Sequence, residues 1–594
     1  MGKKEIREYM KNSDLKMFLP TTEEEIKLRN LKSLDVILVT GDAYVDHPSF
    51  GVALLGRLLE ARGYKVGIIA QPEGPEDIKR LGKPNLFFGV TSGNVDSMVA
   101  NYTASRKKRK SDDYTPGGIN NKRPDSAVIQ YVNWIKQTFK DVKIVIGGIE
   151  ASLRRFAHYD WWSDKVRKSI LLDSKADILV YGMGERAILK IAERIASGKS
   201  LDGILGTVIW KSSLEGLNLE EQFNIIHLPS YEEVANDKRK YAEAYRIMVE
   251  NTEPLKKVIL VQKHDSRYVI QYPPALPLTQ DELDELYLLP YTRRVHPYYL
   301  AKGPVKAIET VRFSITAVRG CFGNCSFCAI TNHQTTHVVS RSVDSIIEEV
   351  SILTKMPEFR GTIVDVGGPT ANMFGLVCPV RNTKGQCLRN CLTPNVCKLS
   401  LTGETKNDAA AEFIELLKKV KSVPGVKHVF VGSGIRHDLI LASKNADYII
   451  SSLVDFTSGQ LKLAPEHAHP YVLKIMRKPS AEQFLEFKKR FEAVAKRKGQ
   501  KKYVIGYFIV AHPGEGEKEN IYLREFIKKH LGYVPQQVQI FTPTPGTLST
   551  TIYYTGFDPF TGEEIYVERR DKVRNALKEN IINLRLILFP HMDL

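Results

Sequence analysis

Cys321, Cys325 and Cys328 lie in the stretch Val318-Arg-Gly-Cys-Phe-Gly-Asn-Cys-Ser-Phe-Cys-Ala, spaced by three and then two residues. Thiolates are the soft ligands that iron–sulfur clusters prefer, and this spacing lets three of them converge on neighbouring irons of one cluster. Three sulfurs on a four-iron cluster leave one iron uncovered. An open coordination position is what separates a reactive metal site from a closed structural one, and a substrate or cofactor can bind there. Gly320 and Gly323 let the loop curl tightly. Phe322 and Phe327, interleaved with the ligands, restrict solvent and help set the potential. Zinc or inert packing is the plain alternative, but the triplet lacks an obvious fourth ligand and follows a strand as a loop.

Cys378, Cys387, Cys391 and Cys397 form a second set in the hydrophilic stretch CPVRNTKGQCLRNCLTPNVC. Four thiolates suffice to close a site, and a segment with so little apolar content gains order from a metal that staples it. An auxiliary iron–sulfur cluster, a structural zinc and unligated thiols all fit the spacing. These two sets are all seven cysteines of the 594-residue chain, with none in the first 320 residues or the last 197. A disulfide framework would not be packed into so narrow a window.

The elements that must position these residues follow from hydrophobic patterning. The run at 35–40 (DVILVT), an amphipathic pattern from Gly51 and a strand-like run from Lys65 begin an alternation that resumes at Lys143 and Asp177. It predicts a doubly wound, Rossmann-like α/β domain over 31–235, after an N-terminal extension over 1–30. Residues 236–300, rich in Tyr, Pro and charge, read as a connector with helices at Tyr241 to Glu250 and Thr279 to Leu288. A second series of six strand-like runs begins at Thr310, Thr362, His428, Gly459, Tyr503 and Gln537, with helical stretches at 343–354, 408–421 and 481–498. It predicts a partial (β/α)6 TIM-like barrel over 301–548, in which functional residues gather at the strands' C-terminal ends. The Cys-rich segment 376–400 is an insertion in that barrel, and 549–594 a small C-terminal extension.

Composition sets wider limits. The chain is 43% hydrophobic with a formal net charge of +17, so an anionic partner such as nucleic acid is compatible with it. The one dense basic run, Arg106 to Lys110 (RKKRK), reads as a solvated loop. No apolar stretch is long enough to span a membrane, and the N-terminus lacks the apolar core of a secretory signal, which predicts a cytoplasmic protein with no membrane contact.

The Cys-x3-Cys-x2-Cys loop after a first barrel strand resembles that of radical S-adenosylmethionine (SAM) enzymes. The resemblance extends over nearly the whole chain to the YgiQ family of radical SAM proteins. It is carried by Gly147-Gly-Ile-Glu-Ala-Ser-Leu-Arg-Arg-Phe-Ala-His-Tyr-Asp, Tyr181-Gly-Met-Gly-Glu, Ser340-Arg-Ser, Asp365-Val-Gly-Gly-Pro-Thr-Ala-Asn-Met, Leu461-Lys-Leu-Ala-Pro-Glu-His and Ala511-His-Pro-Gly. The resemblance implies a 4Fe-4S cluster on the first three cysteines with SAM at its open iron. One electron then releases methionine and a 5′-deoxyadenosyl radical, which takes hydrogen from a substrate. It also implies an external electron donor of flavodoxin or ferredoxin type, and it leaves the substrate open.

Carried over residue by residue, Gly367, Gly368 and Pro369 match the Gly-Gly-Glu turn that receives the cofactor's amino group, with proline in place of the acid. Ser433 and Arg436 could reach its ribose or carboxylate, and Lys462 and Glu466 could form a charged pair over the cluster. The strand leading to His512 resembles the part that packs against adenine, although a core histidine reads equally well. An α/β domain before such a barrel often resembles a cobalamin module with an Asp-x-His-x-x-Gly loop. Here Asp46 and His47 are adjacent, so the spacing departs from that pattern, and Asp42, Asp46 and His47 read as a loop that contacts substrate or the barrel. The run Glu150, Arg154, Arg155, His158, Tyr159 and Asp160 suggests either a ligand crevice or a salt-bridge network. Two other functions compete with radical chemistry on an unidentified substrate. One is methylthiotransferase-like RNA modification, although the tail shows no RNA-binding barrel. The other is a non-catalytic iron–sulfur electron carrier or redox sensor.

Overall fold

Val36–Thr40 (β1) reads VILVT and buries all five residues, as a parallel strand covered on both faces must. The same holds for Val66–Ala70 (β2) and, apart from its last residue, for Phe87–Thr91 (β3). With Lys143–Ile146 (β4) and Ile178–Val180 (β5) they pair in parallel in the order β2-β1-β3-β4-β5. Helices Gly51–Ala61, Ala127–Thr138 and Glu185–Ala196 carry the apolar stripes that cover this block. The computed structural model describes residues 15–215, 223–385, 387, 390–398 and 408–584. Residues 1–14 and 585–594 of the expected extensions, and 386, 388, 389, 399 and 400 of the Cys-rich insertion, lie outside the described residues. The chain divides into two compact units, 1–277 with 285–312 and 278–284 with 313–594.

The first unit is larger than the expected 31–235. Its sheet continues past β5 through Thr207–Lys211 (β6), Asn224–Leu228 (β7), Val258–His264 (β8) and Arg267–Gln271 (β9), giving nine strands in the order β7-β8-β9-β6-β5-β4-β3-β1-β2. Strands β6, β9 and β8 are joined by antiparallel ladders, so the sheet is mixed. The expected connector 236–300 is therefore not separate. Its Val258-Ile-Leu-Val-Gln run and Arg267-Tyr-Val-Ile-Gln run form a hairpin turned at Asp265, which takes a left-handed φ of 50°. Tyr, Pro and charge on either side hide this pair of strands from a composition reading. Its two expected helices are present, as Lys238–Asn251 and Gln280–Tyr287.

The second unit holds the six-position series: Ser314–Thr316 (β10), Thr362–Ile363 (β11) with Asp365–Gly367 (β12), His428–Val429 (β13), Gln460–Glu466 (β14), Tyr503–Val510 (β15) and Val538–Ile540 (β16). Parallel ladders join β10 to β12, β11 to β13, β14 to β15 and β15 to β16. The first strand starts at Ser314, later than the expected Thr310, because Ala307–Val311 closes a short helix instead. The helix Ala481–Arg497 shows why the alternation works. Ser480 and Gln483 form a capping box at its start, and Phe484, Phe487, Phe491 and Val494 repeat at helical spacing on the buried side. The C-terminal helix Asp571–Ile582 belongs to the same unit: Arg574 Nη2 donates to the Phe541 carbonyl, and Asn520 Nδ2 to that of Leu577 at 3.2 Å.

Candidate functional site

The loop after β10 carries Cys321, Cys325 and Cys328. Gly320 enters it at φ +79°, and a Cβ there would lie 1.9 Å from the His337 carbonyl oxygen. Only glycine fits such an approach. Gly320→Ala should lower stability by roughly 2 kcal/mol or more, and the thermal melt and the iron retained after desalting should fall together. Gly323 opens the space between the sulfurs: its Cβ position is 3.2 Å from Cys321 Sγ, 3.7 Å from Cys325 Sγ and 3.4 Å from Arg436 Nη1.

Hydrogen-bond donors converge on these sulfurs. The Gly323 N–H lies 3.3 Å from Cys321 Sγ, the Thr370 hydroxyl 3.3 Å from the same atom, the Thr331 hydroxyl 3.5 Å from Cys328 Sγ and Arg436 Nη1 3.8 Å from Cys325 Sγ. Burial pushes the Cys321 and Cys328 thiols up, and the neighbouring Cys325 pushes both further. Free thiols gain little there, whereas thiolates neutralised by iron suit a ring of hydrogen-bond donors, which spreads the negative charge on a cluster's sulfurs. The donor set therefore fits a cluster. Among the described residues no three His, Cys, Asp or Glu side chains form a group that could hold a single metal ion. Sulfurs that meet separate irons of a cuboid cluster stand farther apart than the ligands of one ion.

Two turns flank the triplet. Gly367 ends β12 and its carbonyl accepts from the Ala317 N–H at 2.7 Å; Gly368 and Pro369 follow as the turn. Gly368 is pressed against β10's continuation, where a Cβ would be 2.2 Å from the Val318 carbonyl oxygen. Thr370, the next residue, is the group that reaches Cys321. It was legible only as part of the Gly-Gly-Pro-Thr run and not as a contact. The turn after β13 is tied to this one by reciprocal bonds: Asn372 Nδ2 donates to the Arg436 carbonyl at 2.9 Å, and the Arg436 N–H to Asn372 Oδ1 at 2.8 Å.

Ser433 faces Asp365, which accepts its hydroxyl, its N–H at 2.9 Å and that of Gly432 at 2.7 Å. Arg436 is 6% exposed and forked on Asp438, Nε at 2.8 Å and Nη2 at 2.5 Å. Burial works to raise the Asp438 carboxyl, and Arg436 outweighs it and holds the group below its ordinary value. Asp438 thus aims the guanidinium at the cluster loop.

Lys462 and Glu466 do not form the expected pair. The ladder of β14 shifts register between Leu463 and Glu466, and Glu466 takes φ +68°. Lys462 is exposed, while buried Glu466 meets Lys478 at 3.7 Å. Burial raises the Glu466 carboxyl, with Lys478 pulling the other way. His512 is fully buried, its ring nitrogens 2.9 Å from the Pro513 carbonyl and 2.7 Å from Ser549 Oγ. Burial pushes it down to about 3, so it is neutral, donates from Nδ1 to the carbonyl and accepts from Ser549 at Nε2. Ser549 in turn lies 2.8 Å from Ser326, between two of the cysteines. His512 is a satisfied core histidine that props the cluster loop.

No disulfide joins the cysteines of the second set. Cys378 and Cys391 are buried, the Cys397 N–H donates to the Cys391 carbonyl at 2.7 Å, and Arg381 Nη2 lies 3.5 Å from Cys391 Sγ. Burial pushes the Cys391 thiol up, with Cys378 and Cys397 near enough to add to the shift. Cys387 is half-buried.

In the first unit the strand order reverses between β1 and β3, the place where open α/β sheets receive ligands at their carboxyl edge. Here the chain fills that edge itself. Arg123, 3% exposed, donates Nη2 to Asp42 at 2.5 Å and Nε to the Gly41 carbonyl at 3.2 Å, and reaches Asp112 at 3.5 Å. Asp46 is paired with Arg57 at 2.6 Å. His47 is buried, accepting from the Ser49 N–H at Nδ1 and lying 3.1 Å from Arg293 Nη1 at Nε2. A histidine so engaged does not fit a cobalt ligand, and this loop is part of the core. The Glu150 to Asp160 stretch is an internal network: Arg154 pairs with Asp96, Glu150 accepts from the N–H groups of Ser97 and Val128, and Arg155 donates to Gln271 at 2.6 Å.

Comparison with known proteins adds the family. Residues 18–314 match the radical SAM N-terminal family, 315–527 the radical SAM superfamily and 536–585 a domain of unknown function, DUF3362. A UPF0313 protein of Thermotoga neapolitana is 62% identical over 95% of this chain and 98% of its own length. One of Clostridium botulinum is 48% identical over 95% and 87%. Among solved structures, a radical SAM methyltransferase, TsrM, from Kitasatospora setae with cobalamin and a [4Fe-4S] cluster bound is 14% identical, with a TM-score of 0.49 over 88% of this chain and 77% of that one.

Proposed function

Since the chain belongs to the radical SAM superfamily, among the UPF0313 proteins, we propose that it is an enzyme that holds a 4Fe-4S cluster on Cys321, Cys325 and Cys328 and binds SAM beside it. The observation that carries this reading is the ring of donors around three half-buried cysteines. Held there, the cluster would supply the single electron for reductive cleavage of SAM, and with it radical chemistry on a substrate. The chain's own residues do the positioning. Thr370, Thr331 and the Gly323 N–H hold negative charge on the sulfurs, the Gly368 and Pro369 carbonyls face an ammonium, and Arg436, locked by Asp438, offers a guanidinium for a carboxylate. Phe322, 2% exposed, excludes water. An external donor of flavodoxin or ferredoxin type would supply the electron. The second cysteines would hold an auxiliary iron–sulfur cluster, since the close group of ligands that a zinc ion needs is not found among the described residues.

One experiment tests both parts. Anaerobically reconstituted protein should bind about eight irons if both cysteine sets carry clusters, or about four with one zinc if the second set is structural. With SAM and strong reductant it should yield 5′-deoxyadenosine. A fully reduced cluster that neither forms that product nor changes its paramagnetic spectrum on SAM addition would leave an electron carrier as the reading.

No helix among the described residues is long and apolar enough to cross a membrane.

A further inference from the structure

The basic run Arg106 to Lys110 is not the loose loop its composition suggests. Tyr102 bridges Lys108, the Thr103 N–H donates to the Lys107 carbonyl at 2.8 Å and the Arg109 N–H to that of Asn101 at 2.7 Å. Arg106 makes the turn at φ +59°. The result is a tight hairpin carrying five exposed cations, with no carboxylate between Tyr102 and Ser111. Asp112, the first acid after it, is turned inward to Arg123 and is 7% exposed, while Asp113 is exposed at the base.

The hairpin is anchored on aromatics. Arg106 lies 4.8 Å over the buried Trp161 ring, and half-buried Tyr102 and Trp162 stand 5.4 Å apart at 44°. Arg109 is pinned by the Val99 and Tyr102 carbonyls, which leaves Lys107, Lys108 and Lys110 to project. Fixed cations beside rings of this kind track a phosphate backbone while unpaired bases stack. Structured RNA displays such bases in its loops. We infer that this hairpin is an RNA-binding surface that contacts the phosphates and unpaired bases of an RNA loop. Binding at this surface does not depend on the cluster chemistry, and a binding assay without SAM reports on it alone.

The test is fluorescence anisotropy of the full-length protein with a labelled RNA hairpin across a salt series. Replacing Lys107, Lys108 and Lys110 together with alanine should flatten the dependence of log K on log salt by about 2. Trp162→Leu should weaken binding roughly tenfold and leave that slope unchanged. Both variants should melt as the parent does. Equal binding by parent and triple variant would overturn the inference. So would lysine-dependent binding to phosphatidylglycerol vesicles with none to RNA, which would make the surface a membrane contact. If Trp162→Leu unfolds, Tyr102→Leu supplies the aromatic arm, and unchanged affinity there would equally count against base stacking.

Discussion

Cys325→Ala should strip the first cysteine set of its iron and reduce 5′-deoxyadenosine formation to background. Two sulfurs cannot hold the corner that three hold, and Arg436 Nη1, 3.8 Å from the missing sulfur, would lose its anionic neighbour. Iron analysis should show about four fewer irons per chain than the parent. Cys378→Ala should leave the iron of the first set in place, which separates the two sets without assuming what the second one holds. Full iron content with normal product in the Cys325 variant would remove the triplet from the mechanism.

Arg123→Ala should destabilise the first unit by about 3–5 kcal/mol at neutral pH, because it leaves Asp42 buried without its cation. The sign of the pH dependence follows from Asp42 itself. Burial pushes its carboxyl from 3.8 up to about 6, with Arg123 and the Asn94 N–H pulling back. The folded state therefore keeps a proton that the unfolded chain releases, so this group's contribution falls as pH rises from 3.8 towards 6. Without Arg123 the native carboxyl moves higher still. The deficit relative to the parent should shrink on acidification towards pH 5 and reopen above pH 6, read by urea denaturation at each pH.

How much of this was legible in the sequence depends on range. The cysteine triplet is local: three side chains within eight residues carry their spacing with them, and Gly367-Gly368-Pro369 sits at a strand end that apolar patterning already marks. The second strand series was readable, and so were the strands of the first that begin near residues 35, 65, 143 and 177, because continuous apolar runs alternate with helical stripes; Phe87–Thr91 and the first unit's strands from Thr207 onward were not. Arg123 against Asp42 was not readable, since the two are 81 residues apart and no periodic signal joins them. The Glu150 to Asp160 stretch was readable only as an open choice between crevice and network: acids, bases and aromatics at a sheet edge look alike whether they await a ligand or satisfy one another, and only Asp96 and Gln271, supplied from elsewhere, decide for a network. Thr370 escaped because a hydroxyl beside a sulfur has no sequence signature.

The irregularity in β14 bears on how this strand can change. Its pleat is reset between Leu463 and Glu466, so the faces presented before and after the reset are independent of each other. From Leu463 to Glu466 the strand takes three steps where β15 takes two, from Gly506 to Phe508, so one residue of Ala464-Pro465 is surplus to the ladder. Losing it would restore plain pairing, with Glu466 still opposite Phe508 and within reach of Lys478. This strand can therefore shed one residue there without turning its downstream side chains over.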